Sequence, residues 1–263
     1  MPTLNRDGVQ ISYDVHGQGK GHPLLLTHGY GASRRMWEVN LPALSRGRRA
    51  ISWDMRGHGS SDAPADPGRY SHAACIEDMA RLLDELGARE AVLCGMSLGG
   101  FLSLAFCLRF PDRVRGLALV DTGPGFRDDA ARERWNHRAG GLADQLEREG
   151  LAALTSQEMR TAQHVHGAVG LAQAARGMLV QTDGTVLRSL GEIAAPTLIV
   201  VGALDTQFLR AADVMEERIP SARKVVLDGA GHAANVDAPE EFNRTVSGFL
   251  QEIDQALARP GAS

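Results

Sequence analysis

The chain has 263 residues, of which 43% are hydrophobic and 23% are charged, and its formal net charge is −4 at pH 7. This length is sufficient for one well-filled globular core. The small negative charge excludes the basic field that attracts nucleic acid, so no nucleic-acid partner is expected. The longest apolar stretch, residues 194–204, is too short to cross a membrane, and residues 1–20 lack the pattern of a signal peptide.

The cysteines indicate a reduced protein. The chain has three of them, so they cannot all pair with one another, and none has metal-ligand spacing. Together with the missing signal pattern, this predicts a cytoplasmic location and no membrane association.

The first half of the chain alternates between short apolar runs and longer amphipathic ones. Residues 9–15 alternate as a half-buried strand does, and Asp7-Gly8 before them predicts a hairpin turn. Four apolar runs are typical of strands buried on both faces: residues 23–27, 50–53, 91–94 and 117–120. Helices are predicted at residues 71–86, with Gly87 as the stop, and at residues 98–109. This order predicts parallel strands with helices on both faces of the sheet.

The alternation is interrupted once. Residues 124–188 are helical in character and contain no convincing strand, after which strands are predicted at residues 196–201 and 224–227 and a closing helix at 239–256. We therefore expect a core domain made of residues 1–123 and 189–263, with residues 124–188 inserted as a helical cap. The insertion is too short for a core of its own and is well placed to cover the strand ends.

A candidate nucleophile lies between a buried strand and a helix. Residues 95–99 read Gly-Met-Ser-Leu-Gly, which is the pattern of a nucleophile elbow in that context. The glycines leave room for a sharp turn, and Ser97 is predicted to project from it at the amino end of the helix, where the helix dipole favours negative charge.

A serine becomes nucleophilic only when a base accepts its proton. The candidate base is His232, which follows the last predicted strand in a glycine-bearing loop and lies downstream of the serine, as the motif requires. The chain has nine histidines. Of the others, His164 and His166 lie in the insertion, where a solvated helix face is the simplest interpretation.

The base needs a carboxylate to fix its tautomer. Asp205 follows the strand at residues 196–201 and is expected at the carboxyl edge of the sheet, where ligand sites of open α/β sheets form. Asp121 follows the preceding strand and reaches the same edge, so it is the main rival. The chain order of the motif favours Asp205.

Backbone donors for an oxyanion are also predicted. His28-Gly29-Tyr30-Gly31 follows a buried strand and can present the Tyr30 N–H, and the Leu98 N–H after the serine is the second donor.

The segment at residues 54–62 contains Asp54, His58 and Asp62 and could suggest a catalytic or metal site. We interpret it as structural, with Arg56 pairing Asp62 and the glycines forming turns, because nothing supplies closed ligand geometry.

Taken together, these motifs resemble those of the α/β-hydrolase superfamily over nearly the whole chain. The resemblance is carried by residues 24–29, 54–59 and 95–100 and by Gly231-His232. Within the superfamily the pattern is most similar to small carboxylesterases and enol-lactonases. The resemblance implies a mostly parallel eight-stranded sheet flanked by helices, with a small helical cap.

The same resemblance implies a serine hydrolase that cleaves small esters or lactones through an acyl-enzyme on Ser97, with no metal or organic cofactor. Two alternatives stay open: a carbon–carbon bond hydrolase or lyase that uses the same triad, and a ligand receptor whose triad no longer turns over. Substrate identity, acyl length and oligomeric state are not encoded in any of these motifs.

Overall fold

The computed structural model describes residues 2–156, 159 and 162–257 and contains one eight-stranded sheet. The strand order across the sheet is β1-β2-β4-β3-β5-β6-β7-β8. β1 pairs antiparallel with β2 and β2 antiparallel with β4, and every other pair is parallel. The strands are β1 Thr3–Arg6, β2 Val9–His16, β3 Leu24–Thr27, β4 Ala50–Trp53, β5 Ala91–Met96, β6 Val114–Val120, β7 Thr197–Gly202 and β8 Ala222–Leu227. The mostly parallel eight-stranded sheet expected from the sequence is therefore confirmed.

Helices connect the parallel strands. In the described part of the chain they are α1 Leu41–Leu44, α2 His72–Glu85, α3 Leu98–Arg109, α4 Asp129–Glu149, α5 Ala168–Ala174, α6 Thr185–Arg188, α7 Thr206–Arg218, α8 Ala234–Asp237 and α9 Pro239–Leu257. α5 continues directly into a π-helical turn, Ala175–Leu179.

The central strands are apolar throughout because both of their faces are covered. Along β3, Leu24 and Leu26 belong to the apolar layer that contains Phe242 of α9, whereas Leu25 belongs to the layer that contains Leu83 of α2. All three leucines are fully buried. Successive side chains of a strand alternate between faces, so an uninterrupted apolar run is the sequence signature of a strand between two helical layers.

α2 has local signals at both ends. The Ser71 side chain accepts a hydrogen bond from the Ala74 N–H at the first turn, which satisfies a donor that the helix itself cannot pair. Beyond the last turn, Gly87 has a φ of 62°, a conformation that ends helices and that glycine adopts without strain. Both the helix and its glycine stop were predicted.

The acidic partner of Arg56 differs from the prediction. The Arg56 guanidinium donates to both carboxylate oxygens of Asp78 on α2, at 2.8 and 2.7 Å, and both side chains are buried. The expected pairing of Arg56 with Asp62 is thus wrong. Asp62 instead accepts a hydrogen bond from the Gln10 N–H and lies at the edge of β2.

The segment between β6 and β7 contains α4, α5 and α6 and no strand in its described residues. It is attached to the rest of the molecule by polar contacts. The Tyr30 hydroxyl donates to the Leu171 carbonyl on α5 at 2.8 Å, and the His72 ring lies 2.6 Å from the Met178 carbonyl. The first contact brings α5 close to the loop that follows β3, and the second brings the π-helical turn close to α2.

Candidate active site

The turn between β5 and α3 carries Ser97 in a strained backbone conformation. Ser97 has φ 51° and ψ −117°, a region that non-glycine residues rarely occupy. The flanking glycines make this turn possible. A Cβ at Gly95 would lie 2.2 Å from the Gly99 carbonyl oxygen, and one at Gly99 would lie 2.3 Å from the Thr27 carbonyl oxygen. No other residue fits at either position, which is the steric reason for the Gly-x-Ser-x-Gly pattern.

Ser97, His232 and Asp205 form a hydrogen-bonded chain. The Ser97 Oγ lies 3.1 Å from His232 Nε2, and His232 Nδ1 lies 2.7 Å from Asp205 Oδ2. A carboxylate on Nδ1 selects the tautomer that carries its proton there, in which Nε2 is the unprotonated nitrogen that can accept the serine proton. The three residues are separated widely in sequence and meet because each follows the carboxyl end of a strand.

The environment of the imidazole differs on its two sides. The Asp205 side chain is only 7% exposed, whereas the His232 side chain is 37% exposed. The Phe208 ring stacks on the His232 ring, with centroids 4.9 Å apart and planes 22° from parallel. The stacked ring restricts the orientation of the imidazole, and sequence reasoning missed this contact because Phe208 has no motif of its own.

Asp121, the rival acid, is engaged elsewhere. Its Oδ1 accepts a hydrogen bond from the Gly202 N–H and its Oδ2 accepts one from the Ala234 N–H, both at 2.8 Å. Gly202 ends the strand before Asp205, and Ala234 comes two residues after His232. Burial raises the pKa of Asp121 to about 6, although both backbone donors favour the ionised form. Asp121 therefore joins the loop of the candidate acid to the loop of the candidate base.

The two predicted oxyanion donors flank Ser97. Leu98 is the first residue of α3, so its N–H has no partner within the helix. The loop after β3 approaches from the other side, since a Cβ at Gly29 would lie 3.3 Å from the Ser97 Cβ. Within the described part of the chain, neither the Tyr30 N–H nor the Leu98 N–H donates to a protein acceptor.

Thr122 supports the Ser97 turn, and no motif in the sequence indicates it. Its hydroxyl donates to the Ser97 carbonyl oxygen at 2.6 Å, and its side chain lies where a Cβ at Gly100 would be. The hydrogen bond fixes the peptide that follows the nucleophile candidate, and with it the direction of the Leu98 N–H.

Three buried histidines lie beside the loop that presents the Tyr30 N–H. The His28 and His58 ring centroids are 5.1 Å apart, and those of His58 and His164 are 6.1 Å apart. His28 Nε2 accepts the Met55 N–H, and His164 Nδ1 accepts the Gly59 N–H. These roles require neutral rings. Burial accordingly lowers the pKa of His28 to about 4 and lowers the pKa values of His58 and His164 as well.

His164 corrects the expectation of a solvated face. It is 8% exposed, and its Nε2 lies 3.0 Å from the Gly31 carbonyl, so it joins the insertion to the loops after β3 and β4. His166, two residues later, has a side chain that is 45% exposed, as expected, with Nε2 3.7 Å from Asp62.

The lowered pKa of His164 predicts pH-dependent stability. Because the folded state disfavours its protonation, the stabilisation is present above the unfolded pKa of about 6.5 and is lost as the pH falls below it. In His164→Gln, an amide can still accept the Gly59 N–H and donate to the Gly31 carbonyl. We expect the loss of unfolding free energy between pH 7.5 and 5.5 to be smaller in this variant, by up to about 1.4 kcal/mol per pH unit.

Urea unfolding at the two pH values measures the difference. His166→Gln is the matched control, because the His166 ring is exposed. Between pH 7.5 and 5.5 this variant should lose as much unfolding free energy as the unaltered protein. A larger effect of His166→Gln than of His164→Gln would contradict the assignment.

A cavity opens beside Ser97. Its lining is mainly aromatic and aliphatic and comes from helices beside the sheet and from the segment between β6 and β7: Phe101, Phe208, Phe126, Trp135, Leu179 and Gln181. An apolar cavity with a few polar groups next to a hydrogen-bonded Ser-His-Asp chain is the usual arrangement for a small-molecule site.

The described part of the chain contains neither a candidate metal site nor a candidate membrane span. Among the described residues, no group of three or more His, Cys, Asp or Glu side chains is arranged to hold a metal ion. In the same part of the chain, no helix combines the length and apolar character needed to cross a membrane.

Comparison with known proteins identifies the family. The model of the α/β-hydrolase fold family matches residues 22–178, which includes the loop after β3 and the Ser97 turn. The chain belongs to the α/β-hydrolase family.

Relatives of this α/β hydrolase cover several activities. A 2-hydroxymuconate semialdehyde hydrolase of Pseudomonas putida is 30% identical, and the match covers 96% of each chain. A 3-oxoadipate enol-lactonase of Acinetobacter baylyi is 27% identical, with 95% of this chain and 96% of the relative covered. The structure of a thermophilic esterase from Thermogutta terrifontis superposes with a TM-score of 0.80 at 28% identity, covering 96% of this chain and 97% of the other.

Proposed function

We propose that this α/β hydrolase is a serine hydrolase that cleaves small carboxylic esters or lactones, with Ser97, His232 and Asp205 as its catalytic triad. The observation that carries the proposal is the chain of hydrogen bonds from Ser97 Oγ to His232 Nε2 at 3.1 Å and from His232 Nδ1 to Asp205 Oδ2 at 2.7 Å. The serine lies on the strained turn at the mouth of an apolar cavity, where a carbonyl carbon can reach it.

The reaction would begin with attack of Ser97 Oγ on the substrate carbonyl carbon while His232 Nε2 takes the hydroxyl proton. The Tyr30 and Leu98 N–H groups would donate to the oxygen that becomes negative in the tetrahedral intermediate. When the carbon–oxygen bond to the leaving group breaks, His232 returns the proton to the leaving alkoxide. Asp205 stays ionised and stabilises the imidazolium throughout.

Water then completes the cycle. It would attack the acyl carbon of the acyl-enzyme as His232 takes one of its protons, and the second tetrahedral intermediate would release the carboxylic acid. The proton returns to Ser97 Oγ, so the enzyme is regenerated without any cofactor. In a lactone the leaving alkoxide and the acyl group belong to the same product.

Two assays test the proposal against a non-catalytic receptor. A fluorophosphonate probe should label the protein at Ser97, identified by peptide mass, and p-nitrophenyl butyrate should be turned over. A protein that binds esters but shows neither labelling nor turnover would be a receptor, and the proposal would be wrong.

A carbon–carbon bond hydrolase that uses the same triad is the second candidate. It is favoured by the 30% identity to the semialdehyde hydrolase of Pseudomonas putida, a value slightly higher than that for the enol-lactonase. The two activities separate in one comparison. A higher kcat/KM for a vinylogous 1,5-diketone acid than for every ester and lactone offered would select the carbon–carbon hydrolase.

We further propose that residues 124–188 act as a cap on a core of residues 1–123 and 189–263. Phe126, Trp135 and Leu179 of this segment line the cavity beside Ser97, together with Phe101 and Phe208 of the core. The Trp135 indole N–H donates to the Leu179 carbonyl at 2.8 Å. This hydrogen bond joins α4 to the π-helical turn, so the lining residues on these two elements are held together.

A cavity lined by both the cap and the core predicts a preference for short acyl chains. We expect kcat/KM for acetyl to hexanoyl p-nitrophenyl esters to exceed that for the palmitoyl ester by on the order of tenfold or more, which is what a few kcal/mol of misfit can discriminate. A series of esters of increasing chain length, assayed below their solubility limits, measures it. A maximum at palmitoyl would mean that the cap leaves a lipase-like cleft.

A further inference from the structure

Gln181 is a buried polar residue on the wall of the Ser97 cavity. It is 7% exposed, and in the described part of the chain its side-chain oxygen Oε1 is enclosed with no hydrogen-bond partner. Buried amide oxygens in proteins are almost always paired, either with protein or with water or ligand, because an unpaired one destabilises the fold. An enclosed, unpaired acceptor on a residue that lines a small-molecule cavity is therefore an indication of function.

The backbone of Gln181 is fixed by a reciprocal pair of hydrogen bonds. The Gln181 N–H donates to Asn136 Oδ1 at 2.7 Å, and Asn136 Nδ2 donates to the Gln181 carbonyl at 2.8 Å. Asn136 lies on α4, next to Trp135, whose indole N–H donates to the Leu179 carbonyl. The backbone that carries the carboxamide is thus held to a long helix at Leu179 and at Gln181, which keeps Gln181 at the cavity wall.

Gly125 makes room for this carboxamide. A Cβ at Gly125 would lie 2.9 Å from Gln181 Oε1, and Gly125 itself lines the cavity. The other polar groups of the wall differ from Gln181. The Thr122 hydroxyl is bound to the Ser97 carbonyl, and Gln207 is exposed to solvent. Among the described lining residues, Gln181 is therefore the one that offers an enclosed, unpaired acceptor to a ligand in this mainly apolar cavity.

We propose that Gln181 forms a recognition subsite for a neutral hydrogen-bond donor, a hydroxyl or amide N–H, on the acyl part of the substrate away from the scissile carbonyl. The proposal rests on the proposed ester or lactone hydrolysis at Ser97. A hydroxyl suits the subsite well, since it can donate to Oε1 and also accept from the amide nitrogen. Binding a hydrocarbon at this position would leave the buried oxygen unpaired, and sites of this kind reject analogues that lack the donor.

Matched pairs of p-nitrophenyl esters test the subsite. In each pair a methyl group is replaced by a hydroxyl of similar size: 3-methylbutanoate against 3-hydroxybutanoate, and heptanoate against 6-hydroxyhexanoate. We expect kcat/KM for the hydroxylated ester to exceed that of its partner by on the order of tenfold in at least one pair. Gln181→Met keeps the length of the side chain, removes the carboxamide and should reduce that ratio to about one.

Gln207→Met is the matched control, because it changes the same residue type on the wall of the same cavity at an exposed position. It should keep the preference for the hydroxylated ester. Absence of a preference in both pairs would overturn the proposal and leave a water as the partner of Gln181. A preference that survives in Gln181→Met, or that disappears equally in Gln207→Met, would also overturn it.

A binding measurement separates the subsite from the reaction. In Ser97→Ala, 6-hydroxyhexanamide and 3-hydroxybutanamide are compared by calorimetry with heptanamide and 3-methylbutanamide, which carry methyl in place of hydroxyl. At least one hydroxylated amide should bind on the order of tenfold more tightly, and the added change Gln181→Met should remove the difference. If the unaltered protein hydrolyses no ester but this difference is found, the proposed function fails and the subsite stands. Equal binding within both pairs overturns the subsite even where esters are hydrolysed.

Discussion

Ser97→Ala is expected to lower kcat/KM for p-nitrophenyl butyrate by a factor on the order of 10⁴ or more, because the proposed triad acts as a unit and alanine supplies no nucleophile. The fold should be unaffected. Alanine keeps the Cβ of serine, so the backbone strain at φ 51° is unchanged, and the turn is held by hydrogen bonds of the backbone and of Thr122. Thermal unfolding of both proteins, together with initial rates, separates loss of chemistry from loss of structure.

Ser103→Ala is the matched control. Ser103 lies on α3, the helix that follows Ser97. It is fully buried, and its hydroxyl donates a hydrogen bond to the Gly99 carbonyl at 2.8 Å. Its replacement removes a serine hydroxyl near the elbow without touching the proposed chain of proton transfer, so activity should stay within a few-fold. If Ser97→Ala retains activity within tenfold of the unaltered protein, the serine mechanism is wrong.

The Ser97 turn could be predicted because its motif is compact, with both glycines within two residues of the serine. Gly95 leaves room for the Gly99 carbonyl oxygen, and Gly99 leaves room for the Thr27 carbonyl oxygen of the neighbouring strand β3. The places of His232 and Asp205 were predicted from chain order and strand ends, since parallel strands bring their carboxyl ends to one edge. The structure brings these residues within hydrogen-bond distance. The variants Ser97→Ala and Asp205→Asn test their proposed catalytic roles.

The errors arose where one element docks on a distant one. Arg56 was paired with Asp62, six residues away, but its partner Asp78 is on α2, and the docking of that helix leaves no mark near Arg56. His164 was expected on a solvated face because it lies in the predicted helical insertion, yet its ring accepts the Gly59 N–H of another loop. Gln181 had no signal at all, since a lone glutamine in a helical segment is usually a surface residue.

Asp205→Asn is expected to lower turnover by a factor of about 10³–10⁴. The amide is nearly isosteric, but its nitrogen can face His232 Nδ1 only as a donor, which favours the tautomer that carries the proton on Nε2. In that tautomer Nε2 cannot accept the proton of Ser97, from which it lies 3.1 Å. Because Asp205 is buried at 7% side-chain exposure, no solvent carboxylate or water readily replaces it.

Asp121→Asn tests the rival assignment with the same chemical change. An amide offers one acceptor oxygen where the carboxylate offers two, so either the Gly202 N–H or the Ala234 N–H loses its partner. We expect a loss of about 1–3 kcal/mol in the free energy of unfolding and a fall in turnover much smaller than that of Asp205→Asn, since the imidazole tautomer is preserved. Initial rates and urea unfolding of the two variants, compared at pH 8 where a carboxyl of pKa about 6 is ionised, give the order of the effects. If Asp121→Asn is the more damaging to turnover and Asp205→Asn the milder, the acid follows β6, and Asp205 is the residue that merely supports the loop.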